Sequence, residues 1–231
     1  TRRLLFHALL LGPASLLLSS ASMNIPLMVV VFMACTILIA VHMIRERVYR
    51  SISEVFRIFF YTGGAVLLMI LCNAFWALPQ LLVNTTKIQV PAYSTDMMAE
   101  ARSWLSGMSS DTSLANIFRL QGDWTWYQGW YEPYRAYAAF YRHNPWMIGL
   151  SWLIPAIVLV GAFVSRQRLK AAFILLAVLG VMLGTGTHAP FEKTYLWLVD
   201  HLPFFWVFRS PWFKFTVLTC LGYAFLFGEG V

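Results

Sequence analysis

Charge is what this chain of 231 residues has least of. Asp, Glu, Lys and Arg together make up 12% of it, about half the share in an ordinary soluble domain. Acids are the scarcer sign, 10 against 17 basic residues. Asp96, Asp111 and Asp123 stand singly and form no D-x-D pair, so no ligand set for a divalent metal is visible. A divalent metal stays open as a cofactor, and no other cofactor is evident. Cysteine is also sparse: Cys35, Cys72 and Cys220 all fall in apolar segments. An odd number without paired spacing argues against a disulfide framework or a zinc site and favours small hydrophobes in helix packing. The chain lacks a P-loop, HExxH, CxxC and GxSxG, which argues against ATP-driven and soluble-hydrolase chemistry. The run GTGTHAP does not qualify as a nucleotide loop, because it opens no βα unit. There is no internal repeat and no low-complexity tract.

What the chain does have is long apolar runs. Hydrophobic residues make up 59% of it, mean hydropathy is +0.65, and several windows approach the ~18–20 apolar residues that span a bilayer. Six segments follow: 4–20, 27–44, 58–83, 146–164, 171–183, and a last one starting near 215. The expected fold is all-α, a polytopic transmembrane bundle of about six spans forming one domain over 1–231. The chain starts without Met and ends inside an apolar run, so it reads as a fragment, with 4–20 a span. A signal peptide is the alternative there, since SSASM resembles a small-residue cleavage site.

Charge placement sets the expected topology. With Thr1 in the cytoplasm, the cytoplasmic pieces hold Arg2, Arg3, Arg45, Arg47, Arg50, Arg57, Arg166, Arg168 and Lys170 against Glu46 and Glu54. The whole net charge of +7 then lies on one face, as the positive-inside rule requires. Two extracytoplasmic loops result, 84–145 and 184–214, in a multi-pass protein of the cytoplasmic membrane. The basic excess faces anionic lipid rather than nucleic acid. Within the first loop, Met97, Ala101, Trp104, Leu105 and Met108 recur at helical spacing after Ser94 or Thr95, which predicts an amphipathic helix on the protein or the lipid. A second short interfacial helix is expected from Pro190, with Tyr195, Leu198, Val199 and Leu202 on one face.

Site candidates concentrate in 184–215. Arg209 and Lys214, in FRSPWFKF, would clamp a lipid phosphate or diphosphate, because a planar guanidinium suits phosphate and an arginine beside a membrane needs an anionic partner. The competing reading has Lys214 snorkelling and Arg209 paired with Asp200 or Glu192. Asp200 and Glu192 are also weak candidates for a general base. His188 is a candidate hydrogen-bond donor to substrate, or simply a turn residue. Asp123, Trp124 and Trp126 in GDWTW form a candidate sugar-stacking wall, against the plainer reading of a turn residue and an interfacial aromatic belt.

Three stretches carry a resemblance: NAFWALPQLL at 73–82, IFRLQGDWTW at 117–126 and LPFFWVFRSPWFKF at 202–215. Together the chain resembles, from about residue 25 to its end, large multispanning prokaryotic glycosyltransferases of the GT-C type, in particular the arabinofuranosyltransferase-like and YfhO-like groups. The resemblance implies an enzyme that moves a sugar from a polyprenyl-phosphate donor to a glycan or lipid acceptor outside the cytoplasmic membrane. It places Arg209 and Lys214 near the lipid phosphate. In that family the catalytic carboxylate sits in the first outer loop, and here SASMNIP has no acid, so the base is expected upstream of this fragment. A non-catalytic scaffold, a lipid or solute transporter and a ligase- or polymerase-like enzyme are the other readings.

Overall fold

A computed structural model describes residues 25–87, 95–123 and 136–231. Among them every regular element is helical. In chain order these are α1 (Ile25–Arg45), a 3-10 turn (Val48–Arg50), α2 (Ile52–Lys87), α3 (Thr95–Met108), α4 (Leu114–Phe118), α5 (Ala136–His143), α6 (Pro145–Val164), α7 (Lys170–Gly184), α8 (Glu192–His201), a second 3-10 turn (Phe205–Phe208) and α9 (Pro211–Gly230). Among the described residues three helices are long and apolar enough to cross a membrane: α1, the 52–72 part of α2, and α6. The expected segment 4–20 lies outside the described residues. The segment expected at 171–183 is α7, whose 15 residues reach only about 22 Å, short of the ~30 Å hydrocarbon core. The last expected segment is α9, with 20 residues but with Lys214 and Glu229 near its ends.

By contacts the chain divides into two units, Thr1–Met28 with His42–Ser94 and Val29–Val41 with Thr95–Val231. In the first, Arg47 turns the chain through a left-handed conformation (φ 53) and starts the 3-10 turn into α2. No residue of 52–72 is buried, and Phe56, Phe59, Phe60, Leu67, Ile70 and Phe75 all stand exposed. A helix apolar on every side has no solvated face to offer water, which is the pattern of a lipid-facing span. Pro79 lies inside this helix, which membrane helices tolerate.

The second unit is built around α9, which packs against α6 and α7. Glycines make both seams. A Cβ on Gly161 of α6 would lie 1.8 Å from the Leu226 carbonyl oxygen, and one on Gly230 would lie 2.5 Å from the Ile157 carbonyl oxygen. On the other side, a Cβ on Gly180 of α7 would meet the Thr219 backbone nitrogen at 2.4 Å, and one on Gly222 would meet the Phe173 carbonyl oxygen at 2.6 Å. Only a hydrogen fits between backbones at such distances, and close approach of this kind is how helices associate where lipid removes the hydrophobic driving force. Phe173 and Phe225 stack at 4.0 Å beside the seam. Ser165 Oγ donates to Glu229 Oε2 at 2.8 Å, joining the C-terminal ends of α6 and α9.

The amphipathic helix expected in the first loop is α3, and it lies on the protein. Ala101, Leu105 and Met108 are buried, and Leu105 joins a core with Val30, Ala34, Leu176, Tyr195, Phe215 and Leu218. The short α4 goes further in. Ile117 is fully buried against Val181 and Trp212. Ser113 caps α4 by accepting from the Asn116 N–H at 3.4 Å, and the Tyr223 hydroxyl donates to the Phe118 carbonyl at 3.2 Å.

Candidate anion site at the head of α9

The local sequence from α8 to α9 is a chain of enforced turns. Leu202 is extended, ψ 121, as a residue before proline prefers, so α8 ends there. Phe204 then takes φ 63, and the Phe205 and Val207 N–H groups donate back to Leu202 and Phe204 at 3.1 Å each, forming the second 3-10 turn. The Tyr195 hydroxyl reaches across from α8 and donates to the Phe208 carbonyl at 2.7 Å. Tyr195 is almost fully buried, and burial pushes its phenol above the ordinary tyrosine range, so it remains a donor. Around it Phe205, Phe208 and Phe215 pack ring to ring, with centroids 5.1–6.4 Å apart. This aromatic block fixes where Arg209 leaves the turn and where α9 begins.

Pro211 occupies the first turn of α9, where its missing N–H costs nothing. The N-cap residue Ser210 makes no side-chain capping hydrogen bond, which leaves first-turn N–H groups at the positive end of the helix dipole. Two cations stand at this end. The exposed Arg209 places its guanidinium over the Trp104 ring, 5.3 Å from the centroid, and Trp104 Nε1 donates to Ser210 Oγ at 3.4 Å. Lys214 is only 8% exposed. Its Nζ lies 4.8 Å from the Phe213 ring centroid, close enough to Arg209 for the two charges to repel. Among the described residues neither cation has a carboxylate partner. The competing pairing of Arg209 is therefore not made. Asp200 is engaged instead by Arg102 of α3 in a half-exposed ion pair, and Glu192 stands exposed in the first turn of α8 without an ion pair.

The other sequence candidates fall around this end. The GTGT turn after α7 is held from two sides. The Thr185 carbonyl accepts from Thr112 Oγ1 at 2.6 Å, and the Thr187 N–H donates to Ser109 Oγ at 3.3 Å. Gly186 has φ +56, and a Cβ there would lie 2.3 Å from Ser109 Oγ and 2.5 Å from Pro211 Cγ. Its glycine is required by packing against the head of α9. His188 closes the turn, its N–H donating to Thr185 at 3.0 Å. Its Nδ1 is buried without a hydrogen-bond partner among the described residues. Gly122 presses on the same helix: a Cβ there would lie 2.9 Å from Trp212 Cε3, so the half-buried Asp123 begins the GDWTW block beside the first turn of α9. Trp124 and Trp126 lie outside the described residues. No group of three metal-ligating side chains is present among the described residues.

Sequence reasoning missed Trp104 as a partner of Arg209, treating it as one more apolar residue of α3. It also missed Ser109 and Thr112, whose role depends on a contact some 75 residues away. The arrangement can hold an anion: the Arg209 fork, the Lys214 charge and the start of α9 lie at the same end of the helix. No protein-family model matches the chain, and neither does any curated protein or solved structure.

Proposed function

We propose that this chain is part of a membrane glycosyltransferase that takes a sugar from a polyprenyl-phosphate donor, with Arg209 and Lys214 holding the donor phosphate. The observation that carries the reading is Lys214, a lysine nearly buried as a residue, beside a second cation and without an acid among the described residues. An uncompensated charge in such a place is costly, and a phosphate oxygen is the ligand whose charge removes the cost. The reading counts 4–20, α1, α2, α6, α7 and α9 as six spans in the cytoplasmic membrane. The N-terminus is then cytoplasmic, and α3, α4, α5 and α8 belong to extracytoplasmic loops. Of the two candidate bases Asp200 is held by Arg102, which leaves Glu192 within the described residues and an acid elsewhere in the protein as the alternative.

That commitment of Asp200 also favours a second reading, a membrane protein that binds an anionic lipid or solute without catalysis. Full-length protein in membranes supplied with radiolabelled polyprenyl-phosphate sugar separates the two. Transfer of label by wild type, lost in well-folded Arg209→Ala and Lys214→Met, supports the enzyme. Binding without transfer supports the second reading. Normal binding and transfer by both variants overturns the phosphate clamp.

A further inference from the structure

A cavity of about 950 Å³ runs along α6 and α7, lined by Trp152, Pro155 and Leu159, by Ile174 and Val178, and at one end by Phe118 of α4. Its wall is apolar throughout. The lining residues on α6 run from Trp152 to Ala162, about 15 Å of helix and thus half of the ~30 Å hydrocarbon core. Trp152 and Leu159 are also exposed, so the cavity is a groove open along its side rather than a closed void.

The Trp152 end carries one cation. Arg119, directly after α4, lies over the Trp152 ring, 5.9 Å from the centroid. Among the described residues it donates to neutral acceptors: the Ala115 carbonyl at 3.4 Å, Ser151 Oγ at 3.4 Å and Asn116 Oδ1 at 2.7 Å. It has no carboxylate partner among the described residues. A guanidinium has five N–H donors, so two are left over by the described residues, the number a phosphate takes in a two-pronged pair.

From the apolar groove and the cation at its mouth we infer that this is a binding site for an anionic glycerophospholipid, with an acyl chain along α6 and α7 and the phosphate on Arg119. It rests on the membrane reading of the chain and not on Arg209 or Lys214. The bound lipid completes the wall that α6 and α7 leave open between them. A zwitterionic lipid offers the same tail, so the charge at Arg119 sets the preference.

The test uses the full-length protein in bilayers of phosphatidylcholine carrying a trace of photoreactive phospholipid, with either a phosphatidylglycerol or a phosphatidylcholine head. Crosslinked peptides are then mapped. The phosphatidylglycerol probe is expected to label 152–162 and 174–181 in preference to α1 and α2. Arg119→Gln is expected to lower that labelling about fivefold, the effect of one basic residue at an anionic surface, and Arg119→Lys to restore most of it. Ala156→Phe, which fills the groove while leaving Arg119 in place, is expected to lose labelling by both probes. Monodispersity and melting temperature report whether each variant is folded, and Ala156→Leu replaces the larger substitution where it is not. Even labelling of all apolar helices, or labelling by the phosphatidylglycerol probe indifferent to Arg119→Gln, overturns the site. Displacement of the probe by equimolar polyprenyl phosphate overturns the phospholipid assignment and gives the groove to the donor's tail, and loss of transfer in Arg209→Ala alone leaves the groove untouched.

Discussion

Replacing Lys214 with methionine is expected to make the ligand-free protein more stable and less able to bind phosphate. The side chain is 8% exposed, touches the Phe213 ring, and has Arg209 as its charged neighbour rather than an acid. Methionine has nearly the same length and fills the same space. The substitution therefore removes a desolvated charge and one repulsion while keeping the packing. Replacements of buried charges by well-packed apolar residues gain up to about 1–4 kcal/mol. Because Lys214 sits at a helix end and its charge is partly relieved by the Phe213 face, the lower half of that range, about 1–2 kcal/mol, is expected. For a chain of this size the gain corresponds to roughly 2–8 °C in melting temperature. Thermal unfolding in detergent, with and without a polyprenyl-phosphate donor, measures it. A ligand at a hundred times its dissociation constant adds about 2.7 kcal/mol to the wild type, and the variant should gain much less. A loss of more than about 1 kcal/mol in ligand-free Lys214→Met would refute the reasoning, since only a partnered ammonium is missed when it is removed.

Other expectations follow from the packing. Gly161→Val forces a side chain against the Leu226 carbonyl and should destabilise by at least the ~1–3 kcal/mol of core overpacking, read as loss of monodisperse protein. Tyr195→Phe strands the Phe208 carbonyl and should cost about 1–3 kcal/mol in denaturation. The pH dependence of that tie has a definite sign: burial holds the Tyr195 proton in the folded state, so its contribution is complete below the unfolded tyrosine value of about 10 and declines above it. A pH series comparing wild type with Tyr195→Phe should show the full difference below about pH 10 and a shrinking one on the alkaline side. Arg102→Ala breaks a half-exposed pair and should change stability by no more than about 1 kcal/mol, so a large loss of transfer in it would put Asp200 back among the catalytic candidates.

The apolar helices were legible because their signal is local. The run expected at 146–164 is α6 with one more residue at its start, and 171–183 is α7 with one more at each end. The amphipathic pattern of α3 and the short helix after Pro190 were legible for the same reason. The end of α2 was not. The polar Asn84-Thr85-Thr86 read as the start of the loop after 58–83, yet the helix continues to Lys87. Nor was α4 legible, because five residues make less than two turns and leave no period to detect. The site was half visible. Arg209 and Lys214 stood out by composition, but whether they were paired depended on Asp200 finding Arg102, a residue 98 positions away, and no spacing rule reports a contact of that kind.

The glycine seams act as a ruler. With Gly222 and Gly230 seated against the carbonyls of Phe173 and Ile157, α9 cannot turn by one residue, about 100°, without driving Tyr223 or Leu221 into backbone. Lys214 lies eight residues before Gly222 on the same stiff rod, about 12 Å along the axis, so its height and heading are set from the far half of the helix. Tolerance to substitution should accordingly follow the seam rather than the distance from Lys214. Changes at the exposed Leu221, one residue away from the seam glycine, leave the ammonium where it is, and an added methyl at Gly222 displaces it.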